Sequence, residues 1–159
     1  MPERRHPRGL IDTSVAIDLP GESDLPLEVA VSAITLAELA AGPHATTDPA
    51  ERAARQDRLQ RIETTFEALP FDGASARAYG RIYAAIVAGG RKARGRRVVD
   101  LLIAATAAAE TLPLYTRNPN DFSGLQGVVE VVAVVTRTGS RLQAPRRPST
   151  FVPHRLQTG

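Results

Sequence analysis

The chain of 159 residues contains no cysteine and no tryptophan. Without cysteine, neither a disulfide framework nor a thiolate metal site can form. No stretch approaches the roughly 18 consecutive apolar residues of a membrane-spanning helix, and the charged N-terminus lacks the apolar segment of a signal peptide. The three histidines lie far apart in sequence, without the spacing of metal ligands. The sequence therefore predicts a soluble, cytoplasmic protein, in which any metal site would use oxygen ligands.

The net charge of +3 is unevenly distributed along the chain. Residues 137–159 contain five arginines and no acidic residue, whereas residues 1–136 contain 15 basic and 17 acidic residues. A second basic cluster is the segment "RKARGRR" at 91–97, here called the basic loop; its charged members are Arg91, Lys92, Arg94, Arg96 and Arg97. Clustered arginines bind phosphate well, which favours a polyanionic partner such as a nucleic acid for this loop. A solvated loop without a partner is the alternative.

Short apolar strands alternate with helical segments along the chain. Strands are predicted at 10–11, 29–31, 113–116 and 128–135, and helices after Thr35, after Asp48, over 74–88 and from Asp100 to Glu110. The helices after Asp48 and over 74–88 are expected to pack as a hairpin. This alternation predicts an α/β fold, a three-layer α/β/α sandwich with a mainly parallel sheet. We expect one domain over 1–136 and a basic, proline-containing, poorly ordered tail over 137–159.

Acidic residues occur where the predicted strands end or helices begin. Asp12 follows the first strand, Glu38 lies one turn into the next helix, Asp100 is predicted to open the last helix, and Asp121 follows the strand "PLYT". A parallel sheet brings the carboxyl ends of its strands to one edge. Converging carboxylates repel one another unless a cation lies among them, and oxygen ligands suit Mg²⁺ or Mn²⁺. Such a centre can activate water to cleave a phosphodiester.

Each acid also has a purely structural interpretation. Asp12 can be a helix cap, Glu38 can complete a capping box with Thr35, Asp100 can be an N-cap, and Asp121 can stabilise a turn. Ser14 has no base placed by sequence to activate it, so support of Asp12 is favoured over a nucleophilic role. What favours the metal interpretation is the joint placement of the acids at strand ends and first turns.

Four segments, in order, carry a family resemblance: "LIDTSVAID", "SAITLAELAAG", "RRVVDLLIAATAAAETLPLYTRNPNDF" and "GVVEVVAV". Together they span about residues 9–135 and resemble the PIN-domain ribonucleases, specifically the VapC-type toxins of toxin–antitoxin pairs. The resemblance implies a PIN-like fold and a Mg²⁺- or Mn²⁺-dependent endoribonuclease in which metal-activated water is the nucleophile. It makes Asp12 and Asp100 the principal metal ligands. Glu38 and Asp121 would then bind a second ion or position the water.

The fourth acidic position is the one least defined by the family pattern. Many PIN domains have an acid where this chain has Asn118, whereas the "TRNxxDF" form has it at Asp121. Asp121 is therefore taken as the fourth acid. Thr116 and Asn118 are taken as support or substrate contacts.

The resemblance also implies partners: a second copy of the chain in a homodimer, a cognate VapB-type antitoxin that inserts a side chain or segment into the acidic site, and an RNA substrate such as tRNA or rRNA. Two alternatives remain open at this point. The chain could be a PIN nuclease of RNA processing that has no antitoxin, or a non-catalytic module that binds RNA or a protein partner through its arginines.

Overall fold

A computed structural model describes residues 5–135 and 149–150 of the chain. The strands of its single sheet are β1 (Arg8–Ile11), β2 (Glu28–Ser32), β3 (Ala68–Leu69), β4 (Leu114–Thr116), β5 (Val131–Ala133) and β6 (Ser149–Thr150). Their order is β3-β2-β1-β4-β5, with β6 beside β2, and every pairing is parallel. The predicted parallel sheet is thereby confirmed.

In the part of the chain that the structure describes, five α-helices connect or flank these strands: α1 (Thr13–Ala16), α2 (Ala33–Ala41), α3 (Pro49–Thr65), α4 (Gly73–Ala88) and α5 (Arg96–Ala109). Short 3-10 turns occupy Glu22–Asp24, Gly42–Ala45 and Pro119–Phe122. Helix α3 begins as its sequence predicts, because the Asp48 carboxylate accepts a hydrogen bond from the N–H of Glu51 at 3.0 Å. The Glu51 side chain does not complete a capping box and instead pairs with Arg55 at 2.9 Å.

Alternate residues of each strand enter two separate hydrophobic layers, since successive side chains point to opposite faces of a sheet. One layer packs α4 and α5 against strand residues Leu10, Ala30, Leu69 and Leu114. The other packs α1 and α3 against strand residues Ile11, Val29, Val31 and Tyr115. Helices therefore cover both faces of the sheet, and the predicted three-layer α/β/α sandwich is confirmed.

The predicted hairpin of α3 and α4 is wrong. Helix α3 packs against α2 and the Gly42–Ala45 turn, whereas α4 packs against α5 in the other layer. The cause is strand β3, which lies between the two helices. Phe66 already ends α3, and Leu69 lies in β3, so the chain crosses from one face of the sheet to the other between the two helices.

The start of α5 also differs from its prediction. The helix begins at Arg96, after Gly95 at the N-cap with a φ of 58°, so Asp100 is the fifth residue of the helix rather than its first. Both the placement of Asp100 in the first turn and its alternative role as an N-cap are therefore wrong. A positive φ favours glycine, which explains why no capping side chain marks this helix start.

The region after Val135 is described only at Ser149–Thr150, where the backbone pairs with Glu28 and Val29 of β2. Two residues of the basic tail thus rejoin the sheet. The other residues of the tail lie outside the described residues, and the domain boundary at 136 stays a prediction. Within the described residues, no helix is both long and apolar enough to cross a bilayer.

Candidate metal centre

Asp12 lies directly after β1 and is almost completely buried. Its Oδ1 accepts hydrogen bonds from the N–H of Val15 at 3.1 Å and from the hydroxyl of Ser14 at 2.6 Å. The predicted cap is confirmed, because Asp12 is the N-cap of α1. Ser14 Oγ in turn accepts the N–H of Arg117 at 3.0 Å. Ser14 therefore orients the Asp12 carboxylate and ties the end of β1 to the end of β4.

Glu38 lies in the second turn of α2, the helix that follows β2. The capping-box interpretation is wrong, because Ser32 is the N-cap of α2 and accepts the N–H of Thr35 at 3.0 Å, which places Thr35 inside the helix. Glu38 Oε1 instead accepts a hydrogen bond from the hydroxyl of Thr13 at 2.6 Å. This carboxylate is therefore oriented by α1 and does not cap its own helix.

The pKa of Asp100 is raised by burial and by the negative charges of the other three acids. Burial, and after it the negative charges of Asp121, Glu38 and Asp12 in that order, raise the pKa of its carboxyl group from 3.8 to about 6. The nearby positive charge of Arg96 opposes this shift. Three carboxylates from separate parts of the chain thus lie within electrostatic range of Asp100, although 109 positions separate Asp12 from Asp121 in the sequence.

Asp121 and Asn118 occupy different positions relative to this cluster. Asp121 lies in the 3-10 turn after β4, is exposed, and has the strongest charge effect of the three acids on Asp100. Asn118 is also exposed, and its backbone N–H donates to the hydroxyl of the fully buried Thr116 at 3.0 Å. Its carbonyl accepts the N–H of Asp121 at 3.0 Å. Thr116 and Asn118 therefore shape the turn that carries the fourth acid.

The donor set matches the chemistry of Mg²⁺ or Mn²⁺, because it consists of carboxylate oxygens, and because the other three carboxylates disfavour the charge of Asp100. Among the described residues, no group of three acidic or histidine side chains is close enough to enclose an ion by itself. Mg²⁺ does not require such a cage, since it usually keeps several waters and takes one or two carboxylates together with substrate phosphate. The residues present therefore fit an open, water-rich site.

The basic loop overlaps the start of α5, because Arg96 and Arg97 are the first two residues of that helix, and it reaches this cluster at Arg96. Arg96 is close enough to Asp100 to lower the pKa of its carboxyl group. Two nitrogens of the partly buried Arg97, Nε and Nη2, have no hydrogen-bond partner among the described residues. Arg91 donates to the carbonyl of Ser123 at 2.9 Å, just after the turn that carries Asp121. Lys92 and Arg94 are exposed.

Sequence reasoning missed two residues that support the cluster. Thr13 binds Glu38, and its only sequence signal was a hydroxyl residue directly after Asp12. Arg117 binds Ser14 through its backbone N–H, and its guanidinium group donates to the carbonyl of Asp18 at the end of α1. No sequence pattern indicated this second contact, because the two residues are 99 positions apart.

The structure is thus a parallel α/β/α sandwich with acidic residues that act on Asp100 from several parts of the chain. The PIN domain family matches residues 10–127 of this chain. The chain therefore belongs to the PIN-domain family.

Known relatives show which PIN-domain proteins the chain is similar to. Ribonuclease VapC5 of Mycobacterium tuberculosis is 37% identical over 137 residues, which cover 79% of this chain and 95% of the relative. The crystal structure of VapBC-5 from M. tuberculosis, a member of the VapBC family of toxin–antitoxin systems, matches with a TM-score of 0.72 and 37% identity over 80% of this chain and 99% of the other. FitAcB from Neisseria gonorrhoeae matches with a TM-score of 0.62 and 30% identity, over 77% of this chain and 94% of the other. The resemblance to VapC-type proteins predicted from sequence is confirmed.

Proposed function

We propose that this protein is the toxin of a toxin–antitoxin pair and acts as a Mg²⁺- or Mn²⁺-dependent endoribonuclease. The observation that carries the proposal is the convergence of three carboxylates on a fourth, Asp100, whose pKa is raised to about 6 by burial and by the other three charges. A cluster of this kind is unfavourable for a protein without a cation and favourable with one. The relationship to Ribonuclease VapC5 supports RNA as the substrate class.

In this proposal Asp12 and Asp100 are the principal ligands, and Glu38 and Asp121 hold a second ion or orient the attacking water. When bound, the ion supplies Lewis-acid stabilisation of the phosphodiester and a lowered pKa for water. The protein's own contribution is positioning: Ser14 fixes the Asp12 carboxylate at 2.6 Å, and the turn built on Thr116 and Asn118 presents Asp121. No side chain acts as a covalent nucleophile.

RNA is held in this proposal by the basic loop beside the cluster. Arg96 lies within electrostatic range of Asp100, so a phosphate bound there would be adjacent to the acidic edge. Arg97 has buried nitrogens that still need an acceptor, which a phosphate oxygen would supply. Lys92 and Arg94 extend the positive surface. Arg91 contributes mainly through its bond to Ser123, which connects the loop to the turn of Asp121.

Partners and place of action follow from the same family assignment. Solved relatives such as VapBC-5 are toxin–antitoxin systems, which supports a VapB-type antitoxin for this chain. We propose that the antitoxin inhibits by placing a side chain or segment at the acidic edge, and that the toxin acts as a homodimer. We propose further that tRNA or rRNA is its substrate and that it acts in the cytoplasm.

The test is RNA cleavage by the purified protein with Mg²⁺, with Mn²⁺ and with a chelator. Asp12→Asn and Asp100→Asn should abolish cleavage while leaving a folded protein, because each removes a negative oxygen ligand without changing side-chain size. Asp57→Asn is the matched control: this acid is exposed on α3, outside the acidic cluster, and its removal should leave the rate unchanged.

Two results would contradict the proposal. One is cleavage that continues in excess chelator, and the other is full activity of both the Asp12→Asn and Asp100→Asn variants. Sequencing the new RNA ends after brief expression in cells would identify the substrate. Inhibition by the product of a neighbouring small gene would separate a toxin from an RNA-processing nuclease.

A further inference from the structure

We infer that Thr13 is a positioning residue that fixes the Glu38 carboxylate through a chain of hydroxyl groups running from the N-cap of α2. The inference rests on the proposed function, because it concerns how one of the proposed metal ligands is held. Thr13 lies in α1, Glu38 in α2, and the hydroxyl of Thr13 donates to Glu38 Oε1 at 2.6 Å. A distance this short is typical of a hydroxyl bound to an ionised carboxylate.

The directions of the hydrogen bonds in this chain follow from the number of hydrogens available. A threonine hydroxyl has one hydrogen to donate, and a carboxylate can only accept. Thr13 therefore gives its hydrogen to Glu38, so the 3.2 Å contact between the Oγ1 atoms of Thr13 and Thr35 must use the hydrogen of Thr35. Ser32 Oγ then donates to Thr35 Oγ1, also at 3.2 Å. All three hydroxyls point their hydrogens toward Glu38.

The far end of this chain is anchored in the backbone. Ser32 Oγ accepts the N–H of Thr35 at 3.0 Å as the N-cap of α2, and both Ser32 and Thr35 are fully buried. Their hydroxyls therefore have little freedom to turn toward water. The two 3.2 Å links are longer than a typical hydroxyl hydrogen bond and hence weaker, whereas the Thr13–Glu38 link is short and charge-assisted. Thr13 therefore makes the strongest hydrogen bond of this chain, the one to Glu38, and Thr35 orients the Thr13 hydroxyl.

As a result, one oxygen of the Glu38 carboxylate is held by its hydrogen bond from Thr13. This holds the orientation of a side chain with three rotatable bonds, which would otherwise lose conformational freedom on binding a cation. Groups that orient a metal ligand in this way contribute about 10-fold to 100-fold to metal affinity. Removing the Thr13 hydroxyl should therefore weaken cation binding without removing a ligand.

The experiment is Mn²⁺ binding by calorimetry on the full-length protein, together with thermal unfolding in a chelator. Thr13→Val should weaken Mn²⁺ binding by about 10-fold, whereas Thr13→Ser, which keeps the hydroxyl, should remain within about threefold of wild type. Thr106→Val is the matched control, because it removes a buried hydroxyl that donates only to the Leu102 carbonyl within α5. Thr13→Ala removes the same hydroxyl and replaces Thr13→Val if that variant fails to fold.

A double-mutant cycle with Glu38→Gln distinguishes a role of Thr13 in orienting Glu38 from a general loss of structure. If Thr13 acts through Glu38, the double variant should bind Mn²⁺ no more weakly than Glu38→Gln alone. The inference would be overturned if Thr13→Val and Thr13→Ala bound Mn²⁺ as tightly as wild type while Glu38→Gln bound it more weakly. That result would leave the proposed function standing. Equal losses in Thr13→Val and Thr13→Ser would also overturn the inference. Wild-type binding by Glu38→Gln and Asp100→Asn would instead reject the metal centre itself.

Discussion

At the scale of a single residue, the carboxyl group of Asp100 lowers the folding stability of the metal-free protein at neutral pH. Its pKa is raised from 3.8 to about 6, first by burial and then by the charges of Asp121, Glu38 and Asp12. Between about pH 4 and pH 6 the folded protein therefore holds a proton at this group that the unfolded chain releases. The stability that this group contributes thus falls as the pH rises through that window, and stays lost at neutral pH.

We therefore expect Asp100→Asn to stabilise the metal-free protein at neutral pH while abolishing cleavage. The gain should be on the order of 1 kcal/mol, which is well below the full pKa shift because the group is only partly buried and is screened by solvent. The measurement is the difference in unfolding temperature between the two proteins in a chelator. This difference should grow from about pH 4 to pH 6 and shrink when Mn²⁺ is added to wild type. A pH-independent difference would contradict the assignment.

At the scale of the element, β1 combines a close approach between strands with the presentation of Asp12. Gly9 is buried in this strand, and a Cβ atom placed on it would lie 2.7 Å from Cε2 of Tyr115 on the neighbouring strand β4. The Tyr115 ring is itself buried and packs edge-on against His6 at 6.2 Å between ring centroids. Glycine is needed here for space, since no positive φ is involved at this position.

Gly9→Ala should therefore lower the free energy of unfolding by about 1 to 3 kcal/mol, because the added methyl group overpacks the contact with Tyr115. Gly80→Ala is the matched control: Gly80 lies within α4 with no atom within 4 Å of its Cβ position. This change should stabilise the protein by about 0.5 to 1 kcal/mol, since alanine favours a helix interior over glycine. Chemical denaturation of both variants checks the opposite signs. Equal effects would contradict the close-packing argument.

At the scale of the whole molecule, charge is separated between an acidic edge and the basic loop, whose last two residues begin α5. Arg96 connects the basic loop to the acidic edge, because its positive charge is near enough to Asp100 to lower the pKa of that carboxyl group. RNA binding should therefore depend on salt through the phosphates that contact this loop, independently of cleavage at the acidic edge.

Arg96→Gln should weaken RNA binding and flatten its salt dependence by about 0.7 in the slope of log affinity against log salt concentration, if one phosphate of single-stranded RNA is released. Binding is measured across a salt series in a chelator, so that cleavage does not interfere. Arg61→Gln on the exposed surface of α3 is the control, because it removes the same charge outside the basic loop. Identical slopes for wild type and both variants would make the basic loop a solvated segment without an RNA contact.

The sequence by itself determined the local features whose causes are local. Asp48 caps α3 and Asp12 caps α1, since a cap depends on residues within one turn. The alternation of short apolar strands with helices was sufficient to predict the parallel three-layer fold, because parallel strands need helical crossovers. The four acids could be selected from their positions after strands and in helical segments, and the family resemblance connected them.

Only the tertiary structure decided which of these residues interact and how. It moved Asp100 from the start of α5 to its second turn, and it separated α3 from α4 by passing the chain through β3. It also brought Thr13 to Glu38 across 25 positions and Arg117 to Ser14 across 103. Periodicity and capping patterns report on neighbours along the chain, whereas these contacts depend on how strands pair and which face each helix covers. That is why the types of residue in the acidic site were readable from sequence, and the hydrogen bonds that orient them were not.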